Sequence, residues 1–340
     1  MVELIDLFII FSAKIFVYSN VHFYKYYFCE LFRKVTMLQF QPLDLKAQKL
    51  FNVFLQKFDC QLMNYSFIVL FLYRNVCHVQ YAISDNFFLV KVTQNEESFF
   101  MFPIGEGNLP AILDKITDET LQIENSIRYY QFCNDYAPLL LQWAEEFCDK
   151  TGHQFRVNSV RKDFEYIYSA EKLARLEGHL LKPKRNQINH FTKNNNWSFT
   201  QISKDNIEKV KHFNALWDAH KTAFETSLGK ENIALEEAFN YFFELNMQGI
   251  LLQVEDEIVA FSIGFPLNNY TFLILFEKAD RTCKGAYSMI NKLFANEISK
   301  KYSYINRAED AGVEGLRKAK LSYQPEYLIE VNELEIKNSC

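Results

Sequence analysis

The amino-acid sequence predicts an α/β (α+β) protein made of two tandem units, each a mixed, largely antiparallel sheet flanked by helices. Three observations lead to this prediction. Short apolar strand-like segments alternate with amphipathic helical segments along most of the chain. The order of helices, a meander and then alternating helices and strands occurs twice, on either side of a boundary near residue 160. The 340 residues are enough for two domains of ordinary size.

The first unit is predicted at residues 37–160. Its first helix is expected at residues 46–58, because Leu50, Val53 and Phe54 recur at helical spacing. Turn-forming pairs then separate short runs rich in aromatic and β-branched residues, as is typical of strands. The further elements are strands at 76–83, 86–93 and 98–104, a helix at 109–116, a strand at 126–133, a helix at 137–148 and a closing strand at 165–169.

The second unit is predicted at residues 161–340. Ser169 is a suitable N-cap for its first helix, and Gly178 is a suitable stop. The pairs Glu255-Asp256 and Asn268-Asn269 predict tight turns between three apolar strands. The elements are helices at 170–178 and 182–194, a strand at 197–202, a helix at 205–225, strands at 249–255, 257–266 and 270–279, a helix at 284–300, a strand at 302–307, a helix at 314–322 and a last strand at 327–336.

Composition excludes several classes of protein. A net charge of −5 gives no general attraction to nucleic acids or anionic membranes, so such partners need a local basic patch. The seven cysteines contain no Cys-x-x-Cys pair, and we read them as reduced thiols of a cytoplasmic protein rather than a disulfide framework or zinc site. The histidines are dispersed in the same way, and no metal site is predicted.

Residues 1–36 differ from the rest because they are apolar and aromatic. Lys14, His22 and Lys25 interrupt them, so the apolar run is shorter than the ~20 residues of a membrane span. No small-residue cleavage site follows, which argues against a signal peptide. We therefore expect no integral membrane segment here. We interpret the segment as an N-terminal extension, with a misassigned start of the chain as one explanation and a peripheral membrane anchor as the alternative.

A candidate anion site lies where the strand at 270–279 leads into the next helix. The strand ends in Glu277 and Lys278, Asp280 follows, and the helix begins at Lys284, Gly285 and Ala286. Small residues allow close approach of the backbone, and the free amides of a first helical turn attract anions. The alternative is an ordinary helix N-terminus with surface lysines.

A second candidate site is the mixed-charge stretch INRAEDAGVEGLRKAKLSY at residues 305–323. Acyl transfer needs a donor for the developing oxyanion and a proton acceptor. We expect this stretch to face Glu277 and Lys278 of the strand at 270–279 and to supply both functions in one cleft. The alternative is an ion-pair network that fixes the last helix, since Glu314 and Lys318 are four residues apart. The charged residues in question are Arg307, Glu309, Asp310, Glu314, Arg317, Lys318 and Lys320.

The third candidate is the basic helix KPKRNQINHFTK. Arg185 and Asn189 share a face of this helix, while Ile188 and Phe191 point toward the core. A basic helix in an acidic protein is a local site for anions, including the phosphates of tRNA. The alternative is a solvated face. The charged or ionisable positions are Lys182, Lys184, Arg185, His190 and Lys193.

Three separated motifs carry a resemblance to a known family. The chain resembles the C-terminal domain of phosphatidylglycerol lysyltransferase, which also occurs as a stand-alone protein. The matching stretches are DFEYIYSAEKLARLEGHLLKPKRNQINHF at 163–191, FEKADRTCKGAYSMIN at 276–291 and INRAEDAGVEGLRKAKLSYQP at 305–325. The similarity extends over about residues 37–332. Ala308, Ala311 and Phe276 depart from the family pattern, where Glu, Leu and a polar residue are expected.

The resemblance implies two tandem GNAT-type acyltransferase units, with the active site in the second. It also implies transfer of an aminoacyl group from charged tRNA to a lipid headgroup, without a covalently bound cofactor. With the motifs, it predicts these catalytic residues: Glu277, Lys278, Asn306, Arg307, Glu309 and Asp310. The predicted donor-binding residues are Asp280, Lys284, Gly285, Ala286, Tyr287, Lys184, Arg185, Asn189, Arg317, Lys320 and Tyr323.

The sequence is compatible with three classes of function. The first is a transferase that uses an aminoacyl-tRNA or acyl-CoA donor and an amine or hydroxyl acceptor in a small molecule, a lipid headgroup or a peptide. The second is an acyl-CoA-dependent N-acyltransferase that acts on a small molecule or peptide. The third is a non-catalytic binding module on the same fold. Co-purifying charged tRNA favours the first class and CoA the second.

Overall fold

The computed structural model describes residues 37–338, apart from residues 57, 59, 95–96 and 220–226. Two mixed sheets with helices against them account for residues 40–338, which confirms the predicted fold class. The expected extension at residues 1–36 lies outside the described residues. In the part of the chain that the structure describes, no helix is long and apolar enough to cross a membrane.

The first sheet has the strand order β1-β2-β3-β4-β6-β15-β7, and β5 pairs with β3 outside this path. Its helices connect or cover these strands. The elements are β1 (Gln41–Pro42), α1 (Ala47–Leu55), α2 (Phe67–Tyr73), β2 (Gln80–Ser84), β3 (Phe87–Gln94), β4 (Glu97–Phe100), β5 (Ile104–Gly105), α3 (Leu109–Leu121), β6 (Ser126–Cys133), α4 (Ala137–Thr151), β7 (Gln154–Ser159) and, at the end of the chain, β15 (Val331–Lys337).

The second sheet has the strand order β14-β8-β13-β12-β11-β10-β9. Its elements are β8 (Glu165–Ser169), α5 (Ala170–Arg175), α6 (Lys182–Asn194), β9 (Trp197–Gln201), α7 (Ile207–Ala219), α8 (Ser227–Asn240), β10 (Gln248–Val254), β11 (Glu257–Pro266), β12 (Thr271–Ala279), α9 (Ala286–Ile298), β13 (Tyr304–Asn306), α10 (Glu314–Leu321) and β14 (Tyr327–Ile329).

Each sheet contains one parallel pair of strands among antiparallel ones. In the first sheet it is β4 and β6, with α3 between them in the chain, and in the second it is β12 and β13, connected by α9. The pairing of β12 with β13 covers three positions only, from Thr271 opposite Tyr304 to Leu273 opposite Asn306. β12 continues to Ala279, so a gap opens beyond Leu273 between the two strands.

The last strand differs from its prediction at residues 327–336. It is two strands, because the chain leaves the second sheet after β14 and enters the first sheet as β15, between β6 and β7. β8, predicted to close the first half, lies instead between β13 and β14 of the second sheet. Alternating hydrophobicity identifies a strand, but the strand's partners depend on packing that is distant in sequence.

Two α-helices and two strands of the described residues were not predicted. α2 has the sequence FIVLFLY, and five of its seven residues are buried, so its apolar run lacks the periodicity that marks an amphipathic helix. α8, β1 and β7 were missed as well. The helix predicted at 205–225 begins at Ile207 and is described to Ala219, and the rest of that prediction lies mainly outside the described residues.

One face of the second sheet packs on α5, α6 and α9. The apolar side of α9 contributes to this core, as its sequence predicted, through Ala286, Met289, Ile290, Leu293, Phe294 and Ile298. Tyr166 and Tyr168 of β8 lie in the same core. Ser288 and Asn291 are polar and are also buried on α9. Buried polar side chains on an apolar helix face need partners, and theirs lie beside the gap between β12 and β13.

The opposite face of the second sheet contacts the segment before α2. Gln61 donates from Nε2 to Thr271 Oγ1 at 2.7 Å, and its carbonyl accepts from Asn306 Nδ2 at 2.8 Å. The amide of Met63 donates to both carboxyl oxygens of Glu165, at 3.0 and 3.1 Å. A segment from the first half of the chain therefore holds the start of β12 at Thr271 and the end of β13 at Asn306, the last residue of β13 before the gap.

Candidate active site

An ion pair occupies the gap between β12 and β13. Arg307, the first residue after β13, donates from Nη2 to Glu277 Oε1 of β12 at 2.8 Å. The side chains of Arg307 and Glu277 are 13% and 10% exposed. Burial alone would lower the pKa of Arg307, but the charge of Glu277 holds this pKa above its ordinary value. Two of the six predicted catalytic residues, Arg307 and Glu277, thus meet in one partly enclosed position.

Two side chains not predicted for the site complete the surroundings of Glu277. Ser262 Oγ lies 3.2 Å and Asn291 Nδ2 3.4 Å from Glu277 Oε2, so the carboxylate has donors on both oxygens. Two buried atoms beside it have no hydrogen-bond partner among the described residues. They are Arg307 Nη1, a donor, and Asn291 Oδ1, an acceptor. Leaving such atoms unpaired costs about 1–3 kcal/mol each.

Aromatic rings and a second cation border this ion pair. The guanidinium of Arg307 lies 4.8 Å from the ring centre of Tyr323 and 5.7 Å from that of Tyr168. Lys184 of α6 places Nζ 4.1 Å from the same Tyr323 ring. Burial lowers the pKa of Lys184, and the nearby charge of Arg307 lowers it further. Two cations therefore flank Tyr323, an arrangement that suits an anionic or carbonyl-bearing ligand.

Lys278 does not belong to this position. Consecutive residues of a strand point to opposite faces of the sheet, so Lys278 faces away from Glu277. Its ammonium pairs with Glu231 of α8 and lies 4.5 Å from the ring centre of Trp217. The expectation that Glu277 and Lys278 share one cleft is therefore corrected. Lys278 is engaged in a buried ion pair that ties α8 to the sheet.

The turn after β13 is built by hydrogen bonds to its own backbone. Asn306 Oδ1 accepts from the amide of Ala308 at 2.7 Å, while its Nδ2 donates to Glu165. Ala308 has a φ of 57°, in the left-handed region. The buried ammonium of Lys320 donates to the carbonyls of Arg307 and Glu309, and burial lowers its pKa to about 8. Asn306 and Lys320 therefore set the direction of Arg307.

Glu309 lies on the same turn but makes a different contribution. Burial raises the pKa of its carboxyl group, which Lys320 partly offsets. Its Oε2 is buried and has no hydrogen-bond partner among the described residues. No hydrogen bond among the described residues accounts for the burial of this carboxylate oxygen. Its catalytic role stays a prediction.

Asp310 is the centre of a structural network. It is completely buried, accepts from Arg317 Nε and Nη2 at 2.8 and 2.9 Å, and accepts from Tyr166 Oη at 2.6 Å. Arg161 Nη1 lies 3.1 Å away, and the amide of Gly312 donates at 2.9 Å. Burial alone would raise the pKa of Asp310, but these donors hold it well below its usual range. Every accepting position is used, so we assign Asp310 and Arg317 to stability.

The helix that follows also carries the surface pair expected from its spacing. Glu314 and Lys318 approach to 2.6 Å with both side chains about three-quarters exposed. Such pairs contribute little to stability in water. The structural interpretation of residues 314–320 therefore agrees with the observed contacts, whereas Arg307 is the charged residue of this stretch that reaches the gap.

The N-terminus of α9 has a close neighbour. Gly285 has a φ of 93°, and a Cβ atom there would lie 2.4 Å from the carbonyl oxygen of Gln187 in α6. Ala286 is completely buried, whereas Lys284 is exposed and Tyr287 is 37% exposed. Asp280 accepts from the amide and hydroxyl of Thr282 and so shapes the preceding turn. Close packing against α6 is sufficient to explain the glycine, and anion binding here stays a prediction.

This packing predicts a strong effect of a single methyl group. We expect Gly285→Ala to destabilise the protein by about 2–4 kcal/mol, because it adds left-handed strain to a clash with a backbone oxygen. Thermal unfolding measures the change. Gly315→Ala is the matched control, since Gly315 lies in α10 with no atom within 4 Å of its added Cβ, and it should be neutral or stabilising. Equal melting temperatures for the two variants would contradict the packing argument.

Two basic residues of helix α6 have different surroundings: Arg185 has a structural role, and Lys184 lies beside the gap. Arg185 Nη1 donates to the carbonyls of Leu176 and Gly178, so it fastens the turn between α5 and α6. Asn189 is exposed on the outer surface. Lys184 is the residue of this helix that contacts the Tyr323 ring beside Arg307. Three residues of α6 were predicted to bind the donor, and among their described contacts it is the one of Lys184 that lies beside the gap.

Sequence reasoning missed several residues at this position, including Ser262, Ser288 and Asn291. Ser288 accepts from Tyr323 Oη at 3.3 Å and donates to Gln187 Oε1 at 2.6 Å. One signal was available, because Ser288 and Asn291 are three residues apart on the apolar face of a helix. No signal in the sequence connects Gln61, Met63 and Glu165 with the site, since their contacts link distant parts of the chain.

One family model and several known proteins match this chain. The model of the family "Phosphatidylglycerol lysyltransferase, C-terminal" matches residues 58–331. A conserved protein of unknown function from Bacteroides thetaiotaomicron is 34% identical, with 89% of this chain and all of that chain covered and a TM-score of 0.81. The structure of L-PGS from Bacillus licheniformis is 14% identical, with 85% of this chain and 91% of that chain covered and a TM-score of 0.57. An uncharacterised protein of Mycoplasmoides gallisepticum is 26% identical over 237 residues, 67% of this chain and 71% of that one.

Proposed function

Because the chain belongs to the family of the phosphatidylglycerol lysyltransferase C-terminal domain, we propose that it transfers an aminoacyl group from a charged tRNA to an amine or hydroxyl acceptor. The acceptor is a small molecule, a lipid headgroup or a peptide. The site of transfer is the gap between β12 and β13, and no covalently bound cofactor takes part. Charged tRNA is a cytoplasmic molecule, so we also propose a cytoplasmic location.

The pair of unsatisfied atoms beside Glu277 carries this proposal. Arg307 Nη1 can donate to the carbonyl oxygen of an acyl group, and Asn291 Oδ1 can accept from an ammonium group. An α-aminoacyl group bears both of these functions on neighbouring carbons. A plain acyl group would satisfy Arg307 and leave Asn291 Oδ1 buried and unpaired. The arrangement therefore supports an aminoacyl donor over a simple acyl donor.

The chemistry assigned to the site follows from the charges there. The acceptor attacks the carbonyl carbon of the aminoacyl ester, the bond to the ribose oxygen breaks, and the acceptor loses one proton. Negative charge develops on the carbonyl oxygen, and a preorganised guanidinium donor stabilises it. Glu277 keeps Arg307 in place and adds a negative charge next to the α-ammonium group. The departing ribose oxygen takes up the proton that the acceptor loses.

The rest of the donor is proposed to contact the basic residues around the gap. Lys184 is the nearest, and Lys182 and Lys284 are exposed on neighbouring elements. Cations that neutralise phosphates make binding depend strongly on salt concentration. We expect the affinity for tRNA to fall steeply as salt rises, whereas recognition of the aminoacyl group should change little.

Discharge of aminoacyl-tRNA tests the proposal. The purified chain is incubated with tRNA charged with labelled amino acids, and in parallel with acetyl-CoA, and loss of label from tRNA and release of free CoA are followed. Binding of charged and uncharged tRNA is compared at the same time, so that a missing acceptor cannot hide a donor site. We expect charged tRNA to bind at least about tenfold more tightly, a difference of about 1.4 kcal/mol.

Asn291→Leu is the variant for this experiment. It removes the acceptor at nearly equal volume, and we expect it to abolish the preference for charged tRNA while binding to uncharged tRNA persists. Release of CoA without any preference for charged tRNA would favour an acyl-CoA-dependent enzyme. Neither activity nor a preference would leave a non-catalytic module, and either result would contradict the proposal.

A further inference from the structure

A cavity of about 580 Å³ lies beside the gap and has no part in the chemistry described above. It is bordered on one side by α5 and the segment that connects α5 with α6, and on the other by residues 323–326 before β14. Its volume is typical of sites for small ligands. Tyr323 lines the cavity, and the ring centre of Tyr323 lies 4.8 Å from the guanidinium of Arg307. One aromatic ring therefore borders both the cavity and the gap.

Hydrogen bonds and an ion pair hold the walls of this cavity in place. Arg185 donates to the carbonyls of Leu176 and Gly178 and so fixes the segment before α6. Lys172 Nζ of α5 donates to both carboxylate oxygens of Glu326, at 2.6 and 2.9 Å, which ties α5 to the segment before β14. The cavity is thus formed in the protein without a ligand, as is usual for small-molecule sites.

The charges along the cavity argue against a phosphate or a carboxylate as its occupant. The described lining contains three carboxylates, two permanent cations and one histidine. Each of the two cations is paired with a carboxylate, Lys172 with Glu326 at 2.6 Å and Arg175 with Glu171 at 2.8 Å. The third carboxylate, Glu177, lies 3.8 Å from Arg175, so it keeps acceptor capacity for the hydroxyl or amino group of a ligand.

Apolar side chains complete the lining of the cavity. Leu180, Leu181 and Pro325 lie there together with the ring of Tyr323. A complementary ligand is therefore uncharged, has a flat apolar face and carries hydrogen-bond donors for the carboxylates. A purine nucleoside has all three properties, because its base packs against rings and apolar side chains while its hydroxyl and amino groups donate.

We propose that this cavity binds the adenosine at the end of a charged tRNA. The proposal rests on the proposed function, because the aminoacyl ester is formed on the ribose of that adenosine. The nucleoside must then lie directly beside the carbonyl group that Arg307 contacts, and the cavity borders this position through Tyr323. Lys184 Nζ lies 4.1 Å from the centre of the Tyr323 ring, outside the cavity lining, where it is placed to bind the phosphate of the same nucleotide.

CoA also carries an adenosine, but its covalent structure fits the cavity less well. In an acyl-CoA the long pantetheine arm separates the thioester from the adenosine, whereas in charged tRNA the ester oxygen belongs to the ribose itself. A nucleoside site that shares a ring with the transfer site therefore matches the tRNA. The additional phosphate on the ribose of CoA would also meet the carboxylates of the lining.

Photolabelling of the full chain with azidoadenosine tests the proposal. The labelled protein is digested and the modified peptides are identified by mass spectrometry. We expect label on residues 177–181 and 323–326. Adenosine should prevent this labelling at least about tenfold better than uridine, whose O4 acceptor would face a carboxylate where the amino group of adenine donates.

Two forms of tRNA locate the adenosine in the donor. Uncharged tRNA should protect the cavity from the label, and the same tRNA without its terminal adenosine should protect at least about tenfold less well, because its phosphates still bind but the cavity stays accessible. CoA is added in a parallel sample. Protection by CoA and not by tRNA would overturn the proposal together with the proposed function.

Leu180→Asp is the variant for this experiment. Leu180 is 56% exposed, so the protein should remain folded, and we expect labelling to fall at least about tenfold because a carboxylate replaces an apolar wall. Leu139→Asp is the matched control, since Leu139 is 52% exposed on α4 and does not line the cavity. Its labelling should equal that of the wild-type chain, and melting temperatures confirm that both variants fold.

The outcomes separate this proposal from the proposed function. Label outside the cavity, with the preference for charged over uncharged tRNA intact, would overturn the adenosine site alone. Equal protection by the two forms of tRNA would overturn it as well, and so would equal labelling of Leu180→Asp and Leu139→Asp.

Discussion

Replacing Arg307 with lysine is expected to lower the rate of aminoacyl transfer by about 100-fold to 1000-fold, the usual effect of removing one oxyanion donor. Lysine keeps the positive charge that Glu277 needs, so the protein should remain folded. A single ammonium group cannot bind Glu277 and the carbonyl oxygen of a substrate with the fixed fork of a guanidinium. The rate is measured as discharge of labelled aminoacyl-tRNA, and the melting temperature is recorded alongside.

Lysine is a better test than alanine at this position. Arg307→Ala would leave Glu277 buried without its charge partner, and that alone costs about 3–5 kcal/mol. The fall in activity and the fall in stability would then be hard to separate.

Arg317→Lys is the matched control for Arg307→Lys. It weakens the two-point contact with Asp310 and lies away from the gap, so it should lower the melting temperature and spare the affinity of the folded protein for its donor. The opposite pattern would contradict the assignment. If Arg307→Lys mainly lowers stability and leaves donor affinity intact, the turn after β13 is structural and the site lies elsewhere.

The largest effect on stability is expected from Asp310→Asn. The amide has nearly the same volume, but it loses the charge that Arg317 and Arg161 neutralise and places a donor where Tyr166 and the Gly312 amide already donate. We expect a loss of about 2–3 kcal/mol, below the full cost of breaking a buried pair because both arginines can turn toward water. Thermal or urea unfolding measures this loss.

The same carboxyl group predicts a direction of pH dependence. The pKa of Asp310 is lower in the folded protein than in the unfolded chain. The ionised carboxylate therefore stabilises the fold fully above the ordinary aspartate pKa, and this stabilisation is lost as pH falls through the pKa of Asp310 in the folded protein. Asp310→Asn should therefore flatten the loss of stability in acid. Asp256→Asn, at an exposed turn with a φ of 71°, is the control and should change neither property. Equal effects of the two substitutions would contradict a stabilising role of the Asp310 network.

Local signals in the sequence predicted many of the elements well. The helix at 182–194 and the strand at 257–266 have the predicted bounds. Both residues of the Glu255-Asp256 turn lie in the left-handed region, as a type I′ turn in a two-residue hairpin requires. These features depend on caps, turns and periodicity within a few residues. The crossing of β15 into the first sheet depends on which strand edge is open, and no local pattern contains that information.

The site was predicted in part, for physical reasons that differ between residues. Glu277 and Arg307 were expected to meet, and they form an ion pair at 2.8 Å. Lys278 was placed with them although alternation along a strand sends it to the other face. Asn291 could have been suspected as a polar residue on an apolar helix face. Gln61 could not, because its role arises only when two distant segments pack together.

We propose that the gap recognises an aminoacyl group through Arg307 and Asn291. The most direct test is calorimetric binding of an aminoacyl-adenosine amide, a stable mimic of the end of charged tRNA, compared with the same compound lacking its α-amine. We predict that the wild-type chain binds the amine-bearing compound at least about tenfold more tightly, a gain of about 1.4 kcal/mol, and that Asn291→Leu removes this difference. Equal affinity of the wild-type chain for the two compounds would contradict the account.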